Sequence, residues 1–343
     1  MSELRFLIQG IGGVGGVLAG ELLRAGHAPV LITGNPDIAR ALNQDGLRVT
    51  TPAGSFTARA QAYASPVELP ADARFDFSLL VMKAQRVVEG ARAALPHLTD
   101  DGYVVTCQNG IVEDAVVEAI GAGRVVSGII GWGATMHAPG VYERTGPGGN
   151  HLGELDGQLT QRVRALAQLL QQAGPTEVST NILGALWSKL AINCTITTPG
   201  ALTGQTLGAL LATAPARRAA LRIYSEVIET AEALGVQLEK IAVSPRLLYL
   251  ARDAGPLTRL GKDLVVRMVG RKYRRLRSSS LQSLERGRKT EIDFLNGHVV
   301  RKAEEAGVAA PANAALVRMI KEIEAGEREM SPANLEPLLA AIS

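Results

Sequence analysis

A glycine-spaced turn between a strand and a helix restricts the fold of this chain more than any other sequence feature. The apolar run Leu4-Arg5-Phe6-Leu7-Ile8 predicts a strand, and an apolar helical run follows Gly10-Ile11-Gly12-Gly13-Val14-Gly15. In such a segment the first glycine permits a tight turn, the second lets a pyrophosphate approach the backbone, and the third lets the helix pack on the strand. The unpaired N–H groups of the helix N-terminus favour anions. The segment therefore predicts a dinucleotide site, with a purely structural turn as the alternative.

Length and composition narrow the class of protein. The 343 residues exceed the usual size of one hydrophobic core, so two domains are expected. A net charge of +3 gives no reason to expect a nucleic-acid partner, and the two cysteines, Cys107 and Cys194, form neither a disulfide framework nor a zinc pattern. There is no signal-peptide pattern and no apolar run long enough to span a bilayer. We expect a cytoplasmic protein with no membrane partner and no bound metal.

The first half alternates strand-like and helix-like segments, which predicts an α/β fold with a parallel sheet covered by helices. The predicted strands are Leu4–Ile8, Pro29–Thr33, Phe77–Met82, Tyr103–Cys107 and Val125–Gly131, and the predicted helices are Val14–Arg24, Pro36–Asp45, Arg86–Leu95 and Glu113–Ile120. Val141–Arg144 and Asn150–Glu154 are predicted to form an antiparallel hairpin that extends the sheet. A helix at Leu159–Ala173 and a strand at Glu177–Ser179 are expected to close this domain.

From Asn181 onward the hydrophobic period becomes helical. The predicted helices are Ile182–Thr195, Ala214–Ala233, Pro245–Asp253, Leu257–Arg274, Ser279–Arg288, Glu291–Ala306, Ala312–Ala325 and Pro332–Ala341. We therefore expect a Rossmann-type, dinucleotide-binding domain over residues 1–180 and an all-helical domain over residues 181–343, which should supply much of the chemistry that faces a substrate.

A lysine in a mostly apolar helix is the first candidate for chemistry. Lys189 and Asn193 are four residues apart and share one helix face, which Thr197 extends if the helix persists. Such a lysine is either a snorkelling cation or a placed proton donor, and the helix alone does not decide between them.

Four further segments carry polar side chains at positions suited to binding. Lys83 and Gln108-Asn109-Gly110 each follow a predicted strand, at the sheet edge where parallel sheets bind ligands. Ser278-Ser279-Ser280 and Thr290-Glu291-Ile292-Asp293 precede apolar helical runs. Each has a structural alternative, namely a solvated turn lysine, an Asn-Gly turn, a helix cap and a capping box respectively.

Taken together, these segments occur in the order and approximate spacing of the ketopantoate reductase family, and the chain resembles that family from about residue 4 to about residue 325. The most specific parts of the resemblance are the lysine–asparagine helix and the Thr290–Asp293 segment. The resemblance implies a Rossmann domain, a helical C-terminal domain and NADPH-dependent reduction of 2-dehydropantoate to pantoate, a step towards coenzyme A.

The resemblance also implies roles for individual residues. Lys189 looks like the general acid that protonates the developing alkoxide, and Glu291 resembles the carboxylate that binds the substrate hydroxyl. The positions that match substrate-binding residues are Asn109, Asn193, Thr197 and Ser279, and Ser279 would help to hold the substrate carboxylate. The positions that match cofactor-binding residues are Gly10, Ile11, Gly12, Gly13, Val14, Gly15, Asn35, Lys83 and Asn109.

The expected phosphate-binding residue is missing after the second strand. Asn35 stands about where the family commonly has an arginine that pairs with the 2′-phosphate of NADPH. The strand does not end in the acidic residue that selects NAD through its 2′-hydroxyl either. Thr33 and Asn35 are candidates for hydrogen bonds to a phosphate, and Arg40 is a candidate to reach it from the helix. We expect NADP as the cofactor, on the family resemblance, with NAD as the open alternative.

The substrate side also departs from the family. Thr197 stands in place of a second substrate-binding asparagine, and Ser280-Leu281-Gln282-Ser283 replaces the usual Met-Leu-Gln-Asp. Because a site built to hydrogen-bond a hydroxyl discriminates strongly, such changes can move specificity far. A reductase for another branched or bulkier 2-oxo acid is therefore the first alternative to 2-dehydropantoate. The second is a non-catalytic regulator that senses NADPH, although a regulator has no need of a proton donor.

The chain is longer than a compact family member between about Val243 and Arg277, and this stretch ends in the basic segment 267–277. An anion-binding patch is one interpretation of this segment. A solvated helix face or a contact between subunits is the other, and a homodimer stays open.

Overall fold

The computed structural model describes residues 4–241 and 243–342, and the chain folds into two compact units. The first unit consists of the residues up to Gln108 together with Val112–Ile182. The second consists of Asn109–Ile111 together with the residues from Leu183 onward. A three-residue piece from the first half of the sequence is therefore part of the second unit.

All the strands that the structure describes lie in the first unit. These are β1 (Phe6–Gln9), β2 (Val30–Ile32), β3 (Leu47–Thr51), β4 (Gly54–Ala58), β5 (Ala62–Tyr63), β6 (Phe75–Leu80), β7 (Leu98–Thr106), β8 (Val125–Ile130), β9 (Ala134–Ala138), β10 (Val141–Arg144), β11 (Asn150–Glu154) and β12 (Thr176–Val178). Eight of them form one sheet in the order β12-β11-β8-β7-β6-β1-β2-β5. From β5 to β8 every neighbouring pair in this sheet is parallel, which confirms the predicted α/β class.

The direction of chain winding reverses at β1. Strand β2 pairs on one side of β1 and β6 on the other, both in parallel register. The rings of Phe6, Phe77 and Tyr103 stack across β1, β6 and β7, with centroids 4.8 Å and 5.5 Å apart, and fix these strands from within the core. Open parallel sheets bind ligands where the winding reverses, beyond the carboxyl ends of the strands. The glycine segment follows β1 at this point.

The predicted hairpin of Val141–Arg144 and Asn150–Glu154 is wrong. Strand β11 pairs antiparallel with β8 in the large sheet, whereas β10 belongs to a second, four-stranded sheet of order β4-β3-β10-β9. Tyr142 explains the separation, because its fully buried ring lies where a Cβ on Gly16 would be, 2.2 Å from the ring atom Cδ1. This packing holds β10 against the first helix rather than beside β11.

Five α-helices are described in the first unit. They are α1 (Gly13–Arg24), α2 (Pro36–Asp45), α3 (Val87–Ala94), α4 (Glu113–Ile120) and α5 (Gln161–Leu170). The bounds of α2 and α4 are the predicted ones. Helix α2 begins where it does because Pro36 suits the first helical position and the Asn35 side chain accepts hydrogen bonds from the first turn.

Every regular element described in the second unit is helical. The α-helices are α6 (Ile182–Thr203), α7 (Leu207–Leu211), α8 (Ala214–Ala233), α9 (Pro256–Lys272), α10 (Ser279–Glu285), α11 (Asn296–Glu305), α12 (Pro311–Glu324) and α13 (Leu335–Ala340). Within residues 4–241 and 243–342, none of the helices combines the length and the apolar character needed to cross a bilayer.

Helix α6 is longer than predicted, because it continues past Thr195 and through Pro199 to Thr203. A proline inside a helix removes one backbone hydrogen bond and costs about 3 kcal/mol. Tertiary hydrogen bonds hold the helix at the two residues before Pro199: the Ser278 hydroxyl donates to the Thr197 carbonyl at 2.8 Å, and the Thr198 hydroxyl donates to Asn296 Oδ1 at 2.5 Å. The face that carries Lys189, Asn193 and Thr197 is therefore continuous.

The helix predicted over Pro245–Asp253 is wrong. Only a short 3₁₀ turn forms there, at Pro245–Leu247. The backbone groups that a helix would pair are bound elsewhere in the second unit. The Pro245 carbonyl accepts from the Tyr224 hydroxyl at 3.0 Å, the Arg246 carbonyl accepts from Lys262 at 2.8 Å, and the Leu250 N–H donates to Ser225 at 2.9 Å.

Candidate active site

The turn after β1 requires glycine at its first position. Gly10 has a φ of +96°, and a Cβ built on it would lie 2.3 Å from the backbone nitrogen of Met82. The Gly10 N–H donates to the Ile32 carbonyl at 2.8 Å, which ties the turn to the end of β2. No side chain fits here, so the backbone of this turn lies directly against the segment that follows β6.

The second glycine of the segment has a different environment. A Cβ on Gly12 would meet no heavy atom of the described residues within 4 Å, so open space lies in front of this backbone. Gly12 directly precedes α1, and no side chain caps the helix there. By contrast, a Cβ on Gly15 would lie 2.1 Å from the Gly10 carbonyl oxygen, and one on Gly13 would lie 2.6 Å from that of Ala134. Only the Gly12 side of the segment is open to an anion.

The two apolar residues within the segment, Ile11 and Val14, pack against the protein interior. The Ile11 side chain is buried in the core of the first unit, and Val14 packs against the same core. Both residues were predicted to contact the cofactor. In the structure their backbone belongs to the turn and the first turn of α1, while their side chains face the protein interior.

A cavity of about 530 Å³ lies at the carboxyl ends of β1 and β2, beside the segment that follows β6. The residues that line it include Gly10, Thr33, Gly34, Ser65, Arg86 and His97. The His97 Nδ1 atom is shielded from solvent and has no hydrogen-bond partner among the residues that the structure describes. A concave site next to an open helix N-terminus fits the adenosine and pyrophosphate groups of a dinucleotide.

The side chains that follow β2 are engaged in the local turn. The Asn35 Oδ1 atom accepts from the N–H groups of Asp37 and Ile38 at 2.8 Å and 3.3 Å, as an N-cap. The Thr33 hydroxyl donates to the Asn35 carbonyl at 2.6 Å. Arg40 pairs with Asp37 on the exposed face of α2. These contacts stabilise the start of α2 and account for the polar residues in this stretch without a phosphate.

An arginine that the sequence analysis did not select lies beside this turn. Arg86 ends a 3₁₀ turn, Ala84–Arg86, that begins after the exposed Lys83. Its guanidinium forms a two-pronged pair with Glu89, from Nε to Oε2 at 3.2 Å and from Nη2 to Oε1 at 3.1 Å. These hydrogen bonds lower the pKa of the Glu89 carboxyl and raise that of Arg86. The spacing from Arg86 to Glu89 on a helix was the available sequence signal for the pair.

Gln108 links the ends of two neighbouring strands in the first unit. Its amide Nε2 donates to the carbonyls of Leu80 and Met82, at 2.7 Å and 3.0 Å. The next residue, Asn109, belongs to the second unit.

In the second unit, α6 presents the predicted polar face. Lys189 and Asn193 are half-buried, one helical turn apart, and Thr197 is buried. The Asn193 amide donates to Asn109 Oδ1 at 3.5 Å. Two predicted substrate-binding amides from distant parts of the sequence are therefore in contact, and Asn193 lies on the helix that carries the lysine.

Phe294, which directly follows the Thr290–Asp293 segment, packs against the same short piece of chain as Asn193. The Phe294 carbonyl accepts from the Ile111 N–H at 3.3 Å, and a Cβ on Gly110 would lie 2.2 Å from that carbonyl oxygen. Gly110 has a φ of +89°. Residues Asn109–Ile111 therefore contact both α6 and the segment that carries Glu291.

Glu291 is a buried carboxylate at the start of a 3₁₀ turn, Ile292–Phe294, and its side chain does not cap that turn. The preceding Thr290 anchors the segment. Its N–H and its hydroxyl both donate to Glu324 Oε1, at 2.8 Å and 2.7 Å. The backbone around Glu291 is thus fixed from α12, which is a requirement for a carboxylate that orients a ligand.

The serine cluster divides into two roles. Ser278 is the N-cap of α10, where its hydroxyl accepts from the Leu281 N–H at 3.1 Å and donates to the Thr197 carbonyl. Ser279, the predicted carboxylate-binding residue, follows it with an exposed side chain. The capping alternative therefore holds for Ser278, and Ser279 lies one residue further on the surface of the second unit.

A buried chain of polar side chains supports α6 and was not predicted. Thr198 binds Asn296, whose amide donates to Asn313 Oδ1 at 2.8 Å, and the Asn313 amide donates to Glu226 Oε2 at 2.8 Å. Asn296, Asn313 and Glu226 are fully buried. Arg222 supplies the countercharge for Glu226 at 3.1 Å. This chain joins α6, α11, α12 and α8, and it fixes the helix that carries Lys189 and Asn193.

The arrangement in the second unit has a definite chemical capacity. An amine on a half-buried helix face is able to donate a proton, and the neighbouring amide and the buried carboxylate are able to bind oxygen atoms and hydroxyl groups of a small acid. The glycine turn in the first unit supplies backbone N–H groups for an anion. An enzyme that uses a dinucleotide on a small oxygenated substrate requires both capacities.

Comparisons with known proteins agree with this chemistry. The family models "Ketopantoate reductase PanE/ApbA" and "Ketopantoate reductase PanE/ApbA C terminal" match residues 6–157 and 181–324 respectively. The chain is 28% identical over 320 residues to the 2-dehydropantoate 2-reductase of Halobacterium salinarum, an alignment that covers 93% of this chain and 98% of that protein.

Solved structures share the fold. The PanE/ApbA family ketopantoate reductase from Ralstonia eutropha JMP134 superposes with a TM-score of 0.80 at 27% identity, covering 95% of this chain and all of that one. The ternary structure of D-mandelate dehydrogenase with NADH and anilino(oxo)acetate also gives a TM-score of 0.80, at 21% identity and over 94% of this chain and 99% of that one. The family models cover both units and the full-length relatives cover nearly all of the sequence, so the chain belongs to the ketopantoate reductase family and is an oxidoreductase.

Proposed function

We propose that this chain reduces 2-dehydropantoate to (R)-pantoate with NADPH as the hydride donor. The observation that carries the proposal is the polar face of α6, where Lys189 lies one turn from Asn193 and the Asn193 amide binds Asn109. Membership of the family supports the reaction type. In this proposal residues 1–180 bind the dinucleotide and residues 181–343 bind the substrate.

The proposed proton donor is the Lys189 ammonium. A bound reduced nicotinamide supplies the hydride that the carbonyl carbon receives. As negative charge develops on the carbonyl oxygen, Lys189 stabilises it and then transfers a proton from Nζ to that oxygen, so the C=O group becomes CH–OH. Lys189 is left as a neutral amine and takes up a proton from solvent before the next turnover.

The remaining polar residues orient the substrate in this proposal. Glu291 accepts a hydrogen bond from the substrate hydroxyl, and its backbone is held for this role by Thr290 and Glu324. Asn193 and Asn109 donate amide hydrogen bonds to substrate oxygens. Ser279 donates to the substrate carboxylate, and its exposure makes it the most adaptable of these contacts.

The glycine turn holds the dinucleotide in this proposal, with the pyrophosphate at the open Gly12 backbone and the adenosine in the cavity that Gly10 and Gly34 line. Lys83, which follows β6, then lies towards the nicotinamide half. We favour NADPH over NADH on the family resemblance and because the acidic residue that binds the ribose 2′-hydroxyl in an NAD site is missing after β2: no acidic residue follows Ile32 before the start of α2.

A second candidate is a reductase for a bulkier 2-oxo acid. Thr197 stands where the family resemblance places a second substrate-binding asparagine, and its side chain is buried, so the α6 face offers a substrate one amide fewer. The candidate is supported by D-mandelate dehydrogenase, a protein of the same fold whose structure contains NADH and anilino(oxo)acetate, which has an aromatic substituent. The polar character of Asn193 and Glu291 favours 2-dehydropantoate over such acids.

The decisive experiment measures turnover of purified protein by the loss of NADPH or NADH absorbance. The substrates are 2-dehydropantoate and a panel of branched and aromatic 2-oxo acids. We expect the highest kcat/KM with NADPH and 2-dehydropantoate. A higher kcat/KM with another acid would select the second candidate. Tight binding of the dinucleotide with no turnover of any acid would refute both and favour a non-catalytic regulator.

A further inference from the structure

Arg86 lies beside the turn that follows β2. A Cβ on Gly34 would lie 3.1 Å from Arg86 Nη1, so the guanidinium occupies the space that a side chain at position 34 would take. Gly34 has a φ of +69°, a conformation that also favours glycine. Both residues line the same cavity. Because Gly34 has no side chain, the Arg86 guanidinium is able to lie beside the turn.

The geometry of the Arg86–Glu89 pair leaves one edge of the guanidinium directed at this turn. Glu89 engages Nε and Nη2, which fixes the plane of the group, and Nη1 is the nitrogen that approaches Gly34. A planar guanidinium presents several N–H donors and suits phosphate oxygens. Because two of its nitrogens are already held by a carboxylate, little side-chain freedom remains to be lost when a ligand binds Nη1.

We propose that Arg86, oriented by Glu89, is the residue that binds the 2′-phosphate of NADPH in this protein. The proposal rests on the proposed function only in requiring that a dinucleotide binds the glycine turn. The ribose 2′ position is read at the end of the second strand in folds of this kind. Here the side chains that follow that strand, Thr33 and Asn35, are engaged in the start of α2. The proposed phosphate-binding cation is instead Arg86, which lies in the segment that follows β6.

The contacts of Glu89 favour binding of NADPH over binding of NADH. Glu89 also lines the cavity, and a carboxylate there is able to accept a hydrogen bond from a 2′-hydroxyl, as in an NAD site. Its two oxygens are already engaged by the Arg86 nitrogens. The pair is exposed, with 57% and 67% of the two side chains accessible, so a phosphate is able to approach the guanidinium without displacing the carboxylate.

The test is equilibrium binding, measured by titration calorimetry with NADPH, NADH and adenosine 2′,5′-bisphosphate. We compare the wild-type protein with Arg86→Gln, Arg86→Lys and Glu89→Gln. Arg86→Gln should weaken NADPH and the bisphosphate by roughly 10- to 100-fold, the effect of losing one charge-assisted contact, and leave NADH within about twofold. The NADPH affinity of Arg86→Lys should lie between those of the wild type and Arg86→Gln. Glu89→Gln should weaken NADPH binding by only a few-fold. Arg92→Gln, on the exposed side of α3, is the matched control and should change nothing.

Three results would overturn the inference. These are unchanged NADPH affinity in Arg86→Gln, equal losses for NADPH and NADH, and a selective loss of NADH in Glu89→Gln, which would mark the carboxylate as the reader of a 2′-hydroxyl. The proposed function fails separately, if the wild-type protein binds neither dinucleotide. A wild-type protein that binds NADH alone would refute the Arg86 assignment and leave the reductase reaction intact.

Discussion

The glycine turn of the first unit and the α6 face of the second unit are built on opposite principles. The turn works through missing side chains: Gly10, Gly12 and Gly15 allow backbone to approach backbone or to remain open. The α6 face works through side chains that are held by other side chains, as Asn193 is by Asn109. The turn is therefore sensitive to added atoms, and the α6 face is sensitive to removed ones.

The two regions also differ in how they are encoded. The turn is one contiguous segment between β1 and α1. The α6 region is assembled from Asn109–Ile111, α6, the Thr290–Asp293 segment and the support from α8 and α12. A backbone site is visible as a short motif, whereas a side-chain site of this kind is visible only as scattered residues that a fold must bring together.

The largest expected effect is on the α6 face. Lys189→Ala should lower kcat by about 10²- to 10⁴-fold, the usual contribution of a general acid, while the circular dichroism spectrum stays that of the wild type. The matched control is Lys289→Ala, an exposed lysine next to Thr290 in the same unit, which should retain wild-type kcat. A near-normal kcat in Lys189→Ala would make this lysine a snorkelling cation and not a proton donor.

The second-largest expected effect is on stability, and it concerns the buried chain of polar side chains that supports α6. Glu226 is fully buried and accepts hydrogen bonds from Arg222 and from the backbone of Ala312 and Asn313. Glu226→Ala removes one partner of the half-buried Arg222 guanidinium, which keeps its pair with Glu229, and it leaves several buried N–H groups without an acceptor. We therefore expect a loss of about 3–5 kcal/mol in the free energy of unfolding of the second unit. Urea unfolding should be followed by Trp187 fluorescence in a Trp132→Phe background, because Trp132 reports on the first unit.

The control for this variant is Glu232→Ala. Glu232 lies on the same helix and forms a more exposed pair with Arg246, so its removal should cost no more than about 1 kcal/mol. Equal losses for the two variants would mean that the buried polar chain contributes no more to stability than a surface ion pair.

A pair of alanine substitutions tests the glycine turn. Gly10→Ala places a Cβ 2.3 Å from the Met82 backbone at a φ of +96° and should cost about 2–4 kcal/mol in unfolding free energy. Gly12→Ala meets no described atom within 4 Å, so stability should change by less than about 1 kcal/mol. Its added methyl group should instead weaken NADPH about tenfold in a calorimetric titration. Unchanged NADPH affinity in Gly12→Ala would place the pyrophosphate elsewhere.

The smallest expected effect concerns Tyr142, whose ring packs against Gly16 in α1. Burial raises the pKa of Tyr142 to about 12, and its hydroxyl lies 3.5 Å from the Ile11 carbonyl oxygen. A raised pKa stabilises the folded protein below the unfolded value of about 10, and this stability is lost as pH rises through 10 towards 12. Between pH 9 and pH 11, the wild-type protein should therefore lose roughly 1.3 kcal/mol more than Tyr142→Phe. Parallel stability curves for the two proteins would show that this hydroxyl ionises as freely in the fold as in the unfolded chain.

The sequence was most informative where structure is determined locally. The bounds of α2, α4 and α8 agree with the periodic pattern and its punctuation, since each helix begins directly after a capping residue or at an acidic residue and ends near a glycine. The parallel sheet followed from the alternation of the segments. The glycine turn followed from spacing alone.

Sequence reasoning failed where distant contacts decide. The strands β3 and β4 were not predicted, although the alternation of buried Leu47 and Val49 with exposed Arg48 was an available signal for a strand. The pairing of β10 with β3 depends on the contact of Tyr142 with Gly16, which no local pattern contains. The continuation of α6 through Pro199 depends on hydrogen bonds from Ser278 and to Asn296.

The candidate site shows the same division. The family resemblance selected Lys189, Asn193, Asn109 and Glu291. It did not predict that Glu226 and Asn313 are buried, because a charged or amide residue in a helical stretch of sequence is usually exposed. Arg86 was not selected because its significance depends on a glycine that is distant in sequence. The roles of the selected residues stay predictions until the variants are measured.

The membership of Asn109–Ile111 in the second unit has a consequence for how this protein is made. These residues leave the ribosome long before α6 is synthesised, and they must stay available until Asn193 and Phe294 arrive to bind them. A gene fragment that begins at Leu183 would encode helices without this segment, and the Phe294 carbonyl would lack its Ile111 donor. Studies that express the helical unit separately should therefore supply residues 109–111 as a peptide or join them through a designed linker.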